Sequence, residues 1–109
     1  MAEATFVQDG AAIDHTAGAD IAVGEVVVMG ALVGVAERAI ANGAIGAVSI
    51  EGVYEVAKEA PLVISKGDIV YFVAANNNVN KTSSGNTKMG YAIADAASAD
   101  IVVKVLLSR

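Results

Sequence analysis

Hydrophobic and polar positions alternate most clearly over residues 45–58, near the middle of the chain. Val48, Ile50, Tyr54 and Val56 share one parity while Ser49, Glu51 and Glu55 share the other, which predicts a strand with one dry and one wet face. Gly52 interrupts it. A glycine inside a strand marks a bulge or a close backbone approach, so a bend is expected there that lets the strand serve two sheets or turn a barrel corner.

Elsewhere the pattern changes. Over residues 26–36 both parities are apolar, β-branched residues dominate and glycines recur, which predicts two short strands meeting near Gly30-Ala31 rather than a helix. A strand with two dry faces needs cover on both, and no long amphipathic helix is available to supply it. The cover is then the second layer of a barrel or sandwich plus a loop, or another subunit. Residues 36–41 can form a turn or two of helix, which the turn signal Asn42-Gly43 ends. The single proline, Pro61, closes the central strand. Beyond it, residues 62–64 form a short apolar segment, and Lys66-Gly67-Asp68 turns into the apolar strand of residues 69–73. Asn76-Asn77-Asn78 reads as a turn, and residues 80–87 as an exposed hairpin or loop. Residues 89–94 form a strand, 95–100 a loop and 101–107 a terminal strand broken only by Lys104. On the N-terminal side, Phe6-Val7-Gln8 and Asp9-Gly10 read as a short strand and a turn, followed by a second short strand at residues 12–16. Residues 1–5 have no period and are either a frayed terminus or an arm that orders on a partner.

The chain also echoes itself. Gly24-Glu25-Val26-Val27-Val28 resembles Gly67-Asp68-Ile69-Val70-Tyr71. Each is followed by a short glycine step, Gly34-Val35-Ala36 or Gly90-Tyr91-Ala92, and then by a β-rich run. Two half-domains of similar plan would give a pseudo-symmetric small barrel; chance repetition of Gly, Ala and Val is the alternative. The fold class expected is all-β: a small β-barrel or β-sandwich in a single domain of residues 6–109, with at most a short helical turn, preceded by the arm of residues 1–5.

Composition narrows the partners. The 109 residues suit one domain, which buries roughly two-thirds of its unfolded surface. The chain is 55% hydrophobic but only 5% aromatic, so its core is built from small side chains and is thin, a situation commonly completed by a partner subunit. A net charge of −5 with scattered basic residues speaks against nucleic acid, whose phosphates need clustered Lys and Arg. There are no cysteines, hence no disulfide framework and no thiolate metal site. The N-terminal residues lack the basic start and apolar run of a signal peptide, and the longest uncharged apolar run is too short for a bilayer, so no membrane partner is expected. A soluble protein made and used, or assembled, inside a cell is the expectation.

Catalysis requires a nucleophile with its base, a metal cluster or a paired set of carboxylates. His15 beside Asp14 reads either as a base or metal ligand or as an exposed polar pair, and no second His or Cys exists to complete a zinc site. No serine lies in a Gly-x-Ser-x-Gly elbow. Asp95 and Asp100 flank a loop without the alternating oxygen ligands of a calcium loop. Neither glycine-rich stretch, 24–34 or 85–90, has the order of a phosphate-binding loop. Tyr54, Tyr71, Phe72 and Tyr91, set among Val and Ile, read as core or interface packing, with base or sugar stacking as the alternative. No catalytic, cofactor-binding or metal-binding residue is assigned, and no enzyme activity is expected.

Taken together, Phe6-Val7-Gln8, Gly24-Glu25-Val26-Val27-Val28, Leu32-Val33-Gly34-Val35-Ala36, Gly52-Val53-Tyr54-Glu55-Val56-Ala57-Lys58, Gly67-Asp68-Ile69-Val70-Tyr71, Gly85-Asn86-Thr87 with Gly90, and Val103-Lys104-Val105-Leu106 resemble the capsid cement, or decoration, proteins of tailed phages and prophages. The similarity runs over residues 6–107, and it lies in the order and spacing of motifs that are individually unspecific. Relatives often carry Pro where this chain has Ala57 and Trp where it has Phe72; neither difference disturbs the parity. The resemblance implies a β-rich domain without a cofactor that binds the outer surface of a major capsid protein lattice as a homo-oligomer, a trimer, and strengthens the shell. Its location would be the virion capsid surface, after synthesis in the bacterial host cytoplasm. A small β-barrel binding module for a small ligand or glycan is the alternative reading.

Overall fold

The computed structural model describes Glu3 and residues 11–108. The strand and turn expected over residues 6–10, and all of the 1–5 segment except Glu3, lie outside the described residues. The chain runs through β1 (Ala12–Thr16), β2 (Val26–Met29), β3 (Leu32–Ala36), β4 (Ile45–Ser49), β5 (Val53–Ala57), β6 (Ile69–Val73), β7 (Asn78–Asn80), β8 (Thr87–Ala92) and β9 (Val102–Leu107), with no helix among the described residues. The helical turn allowed for residues 36–41 does not form. The chain bends at residues 37–38, and Ile40 makes an isolated bridge to Ile21, with backbone bonds of 2.8 Å in both directions.

All pairing between strands is antiparallel and falls into two sheets, ordered β1-β4-β3-β2 and β5-β9-β8-β6-β7. The long central strand expected over residues 45–58 is therefore two strands, one in each sheet, and the bend between them is where the interrupting glycine predicted it. Gly52 has φ +115°, a region that L side chains rarely adopt, and only glycine enters it without strain. The parity reading holds on both sides of the bend, with Val48, Ile50 and Val56 buried and Glu51 and Glu55 exposed. Ser49 departs from it and is buried.

The two sheets carry the same plan twice. In the first half, Gly24 N–H donates to Ala36 O and Ala36 N–H to Glu25 O; in the second, Gly67 N–H donates to Ala92 O and Ala92 N–H to Asp68 O. The Ile21–Ile40 bridge is matched by an Ile64–Ala96 bridge. Ala17 N–H bonds to Ala44 O as Lys58 N–H bonds to Ile101 O, and Ile50 N–H bonds to Ala11 O as Leu107 N–H bonds to Gly52 O. Strands β1, β2, β3 and β4 thus correspond to β5, β6, β8 and β9. The internal echo is a structural repeat, not chance.

The halves differ in what joins the second and third strands of the repeat. In the first half it is a two-residue turn, Gly30-Ala31, with Gly30 at φ +64°. In the second half β6 runs on through a turn that places Asn77 at φ +53°, returns as β7, and only then reaches β8. Val79 of β7 bridges Lys58, just past the end of β5, and Glu59 N–H donates to Val79 O. The five-stranded sheet therefore curls until its two ends meet, as a small barrel does.

The segment with two dry faces finds its cover in both of the ways open to it within one chain. Val33 and Val35 of β3, with Val26 beside them, join the larger core formed by the second half, which includes Val56, Ile64, Val70, Phe72, Val79, Met89, Val103, Val105 and Leu107. On the other face, Val27, Ala36 and Val48 pack with Ala17, Ile21 and Ile40 from the connecting loops. One face is covered by the second sheet and the other by loops.

Candidate functional surface

Among the described residues no group of three or more His, Asp or Glu side chains is placed to hold a metal ion. Asp14 and His15 are successive residues of β1, so their side chains leave opposite faces of the sheet; Asp14 is exposed and His15 half-buried. Asp95 and Asp100 have structural roles. Asp95 Oδ1 accepts from Lys66 N–H and Asp100 Oδ2 from Ala97 N–H, both at 2.8 Å, so each carboxylate ties down a turn. The barrel interior is filled. Ile64, Val70, Val79 and Val105 are wholly buried and Met89 is nearly so, which leaves the space between the sheets and the outer surfaces as places for a partner.

The most distinctive surface is the outside of the second half. Strand β9 alternates strictly, with Val103, Val105 and Leu107 buried and Val102, Lys104 and Leu106 exposed. The ladders set Val53 opposite Leu106, Leu106 opposite Tyr91, and Tyr91 opposite Ile69. Residues directly opposite in a sheet share a face, so these four form one apolar row across β5, β9, β8 and β6. Val53, Leu106 and Ile69 are 52%, 41% and 38% exposed. In β8, Met89 and Gly90 both turn inward where the register with β6 shifts, a bulge that returns Lys88 and Tyr91 to the same outer side. Lys88 Nζ lies 4.7 Å from the centre of the Tyr91 ring and 3.3 Å from its hydroxyl. The tyrosine, between Leu106 and Ile69 in the row, thus carries a cation against its ring.

The repeat shows what this face is in the first half. The positions of Tyr91 and Ile69 correspond to Val35 and Val26, and there Val35 is buried in the shared core with Val26 packed against it. The same face is covered within the chain in one half and open in the other. Sequence reasoning placed the aromatic residues in core or interface but did not find the row, because its members are scattered over residues 53–106 and meet only through the ladders.

A second feature is a groove of about 670 Å³ between the sheets, walled by Val23–Val26 and Val35–Glu37 on one side and by Tyr54–Ala57, Phe72 and Asn77 on the other. Its floor is apolar, and the charged residues that line it are Glu25, Glu37 and Glu55.

Lys58, which ends the central strand, is buried without a carboxylate partner among the described residues. Its ammonium donates to Glu59 O at 2.9 Å and Asp100 O at 3.0 Å, pinning two loops where the barrel closes.

Compared with known proteins, residues 7–107 match a family model described as phage cement protein. No curated protein and no solved structure matches.

Proposed function

The chain belongs to the phage cement protein family, and we propose that it binds the outer surface of the major capsid lattice as a homo-oligomer, a trimer, and stabilises the shell. The family supports a structural role at the phage capsid. What supports self-association is the row of Val53, Leu106, Tyr91 and Ile69. It is an apolar stripe on the outside of a closed sheet, whose counterpart in the first half is buried by another copy of the same structural plan. Exposed contiguous apolar surface on a soluble domain marks an interaction site, and a repeated contact is what a lattice of identical subunits requires.

The mechanism is mechanical. Each oligomer spans neighbouring capsid subunits and adds buried area that must be lost before the shell opens. The small-ligand or glycan module is less favoured, because the closed barrel has its interior packed with Ile64, Val70, Val79, Met89 and Val105. Light scattering tests the oligomer: the wild-type chain runs as a trimer, and Leu106→Glu with Tyr91→Ser runs as a folded monomer. Co-sedimentation with purified capsids of the phage that encodes the chain tests the role. A chain that fails to sediment with every capsid form, expanded or unexpanded, is not a cement protein for that shell.

A further inference from the structure

We propose that the groove between the sheets accepts an extended, basic segment of the capsid subunit, which adds as a strand to the outer edge of β5. This rests on the capsid-binding role above and names the chemistry of one contact within it.

The edge comes first. Among the described residues β5 pairs with β9 on one side only, and on the other it has no ladder partner until the bridge at Lys58. Because Leu107 N–H bonds to Gly52 O and Lys58 N–H to Ile101 O, the even-numbered residues of β5 turn their backbone groups toward β9. The N–H and C=O of Val53 and Glu55 therefore point away from β9. The four consecutive β5 residues that line the groove, Tyr54–Ala57, are this edge seen from outside. An unpaired strand edge is a template for another strand. The opposite wall is the start of β2, which is also an edge strand, and Val26, Val56 and Phe72 supply an apolar floor for every second side chain of a guest.

The fold shows how such edges are covered when the chain does it alone. The outer edge of β6 carries β7, a strand of three residues, whereas the corresponding edge of β2 carries none among the described residues.

Charge selects the guest. All three charged lining residues are glutamates, so an acidic segment is repelled from the groove. This chain's own residues 1–10 contain Glu3 and Asp9 and no Lys or Arg, and are disfavoured for the same reason. An extended segment with alternating small apolar and Lys or Arg residues satisfies both edge and rim.

Binding of a fluorescent Lys-Val-Lys-Val-Lys-Val-Lys peptide to the full chain, followed by anisotropy at low salt, tests this. The peptide is expected to bind saturably, and its Glu-Val counterpart and a peptide of residues 1–10 are not. Replacing Glu25, Glu37 and Glu55 together by Gln should weaken binding at least tenfold without altering the melting temperature. Glu55→Pro removes one outward N–H and leaves the β9 ladder intact; it should lose binding beyond the loss seen in Glu55→Gln. Capsid sedimentation then separates the two readings. If wild type binds capsids and Glu55→Pro, still folded, binds them equally well, the strand-acceptor proposal is overturned while the cement role stands. Equal peptide binding by wild type and the triple Gln variant overturns it as well, as does tight binding of the residue 1–10 peptide, which would make this chain's own N-terminal segment the occupant.

Discussion

The two halves of the chain solve one problem with different means. Both lay down four strands in the same order, both bracket them with an isolated bridge, and both place a glycine where the third strand of the repeat runs against the fourth. A Cβ on Gly34 would meet Val48 Cγ1 and, at 2.9 Å, the carbonyl oxygen of Ser49; on Gly90 it would meet the carbonyl oxygen of Leu106. The first half stops there. It adds no further strand beside β2 among the described residues, fills its own core with Ala17, Ile21, Val27, Ala36, Ile40 and Val48, and turns Val33 and Val35 into the core of its neighbour. The second half adds β7, closes on itself, and leaves its equivalent outer face bare. A small core made of alanines, valines and isoleucines is thus stabilised by lending one face to a larger one, and the larger one has an outer face to offer elsewhere.

Lys58 shows the cost of closure. Its counterpart in the first half is Ala17, which packs in the smaller core. In the second half the loops drawn together by β7 leave the carbonyls of Glu59 and Asp100 facing one place, and a lysine ammonium bonds to both. Hydrogen bonds from a charged donor contribute about 1.5–3 kcal/mol each, which is reason enough for a cation where the simpler half has a methyl group.

The equivalence of the halves can be broken by substitution. The largest effect is expected at the paired glycines. Gly90→Ala places a methyl against backbone that cannot step aside and should cost about 3 kcal/mol or more, whereas Gly34→Ala meets chiefly a valine side chain and should cost about half as much. Urea denaturation of both variants reads the difference, and equal losses would mean that the two glycines are not under the different constraints inferred here.

Next comes the hinge between the halves. Gly52→Val forces a β-branched residue to φ +115° and should cost about 2–3 kcal/mol and perturb assembly, while Glu51→Gln beside it stays within about 0.5 kcal/mol of wild type. A Gly52→Val chain with native melting temperature and native oligomer size would show that the two sheets do not depend on this bend.

A finer test uses a size exchange between equivalent positions. In the first half Ile40 covers Gly46, whose missing Cβ would lie 2.5 Å from Ile40 Cγ1; the corresponding residues of the second half are Ala96 and Val103, small and large exchanged. Gly46→Val should therefore cost about 2 kcal/mol by overpacking, and adding Ile40→Ala should recover about 1 kcal/mol of it. A double-mutant cycle with no coupling would argue against the correspondence.

The smallest effect concerns the turns that open β2 and β6. Asp68 Oδ2 accepts from Ser65 N–H at 2.8 Å, and Glu25 Oε1 accepts from the matching Ala22 N–H at 3.4 Å. The shorter aspartate side chain fits the turn and the longer glutamate reaches it poorly. Asp68→Ala should cost about 1 kcal/mol and Glu25→Ala only a few tenths, a difference that thermal denaturation can resolve.

Local chemistry carries a good deal of this protein in the sequence itself. Alternation over residues 45–58, the glycine that interrupts it, the two-residue turn at Gly30-Ala31 and the Lys66-Gly67-Asp68 turn are properties of a few adjacent residues. They placed most strand segments within a few residues, and they placed the bend between sheets. The repeat was visible only faintly, because its two copies share small, common residues and the second is lengthened by β7. Tertiary structure decided the rest. Which face of a doubly apolar strand meets the other sheet, which ends of a sheet come together, and which outer residues line up into one row all depend on register between strands far apart in the chain. Val53, Leu106, Tyr91 and Ile69 are unremarkable where they stand in the sequence; hydrogen-bond ladders alone bring them into a single face.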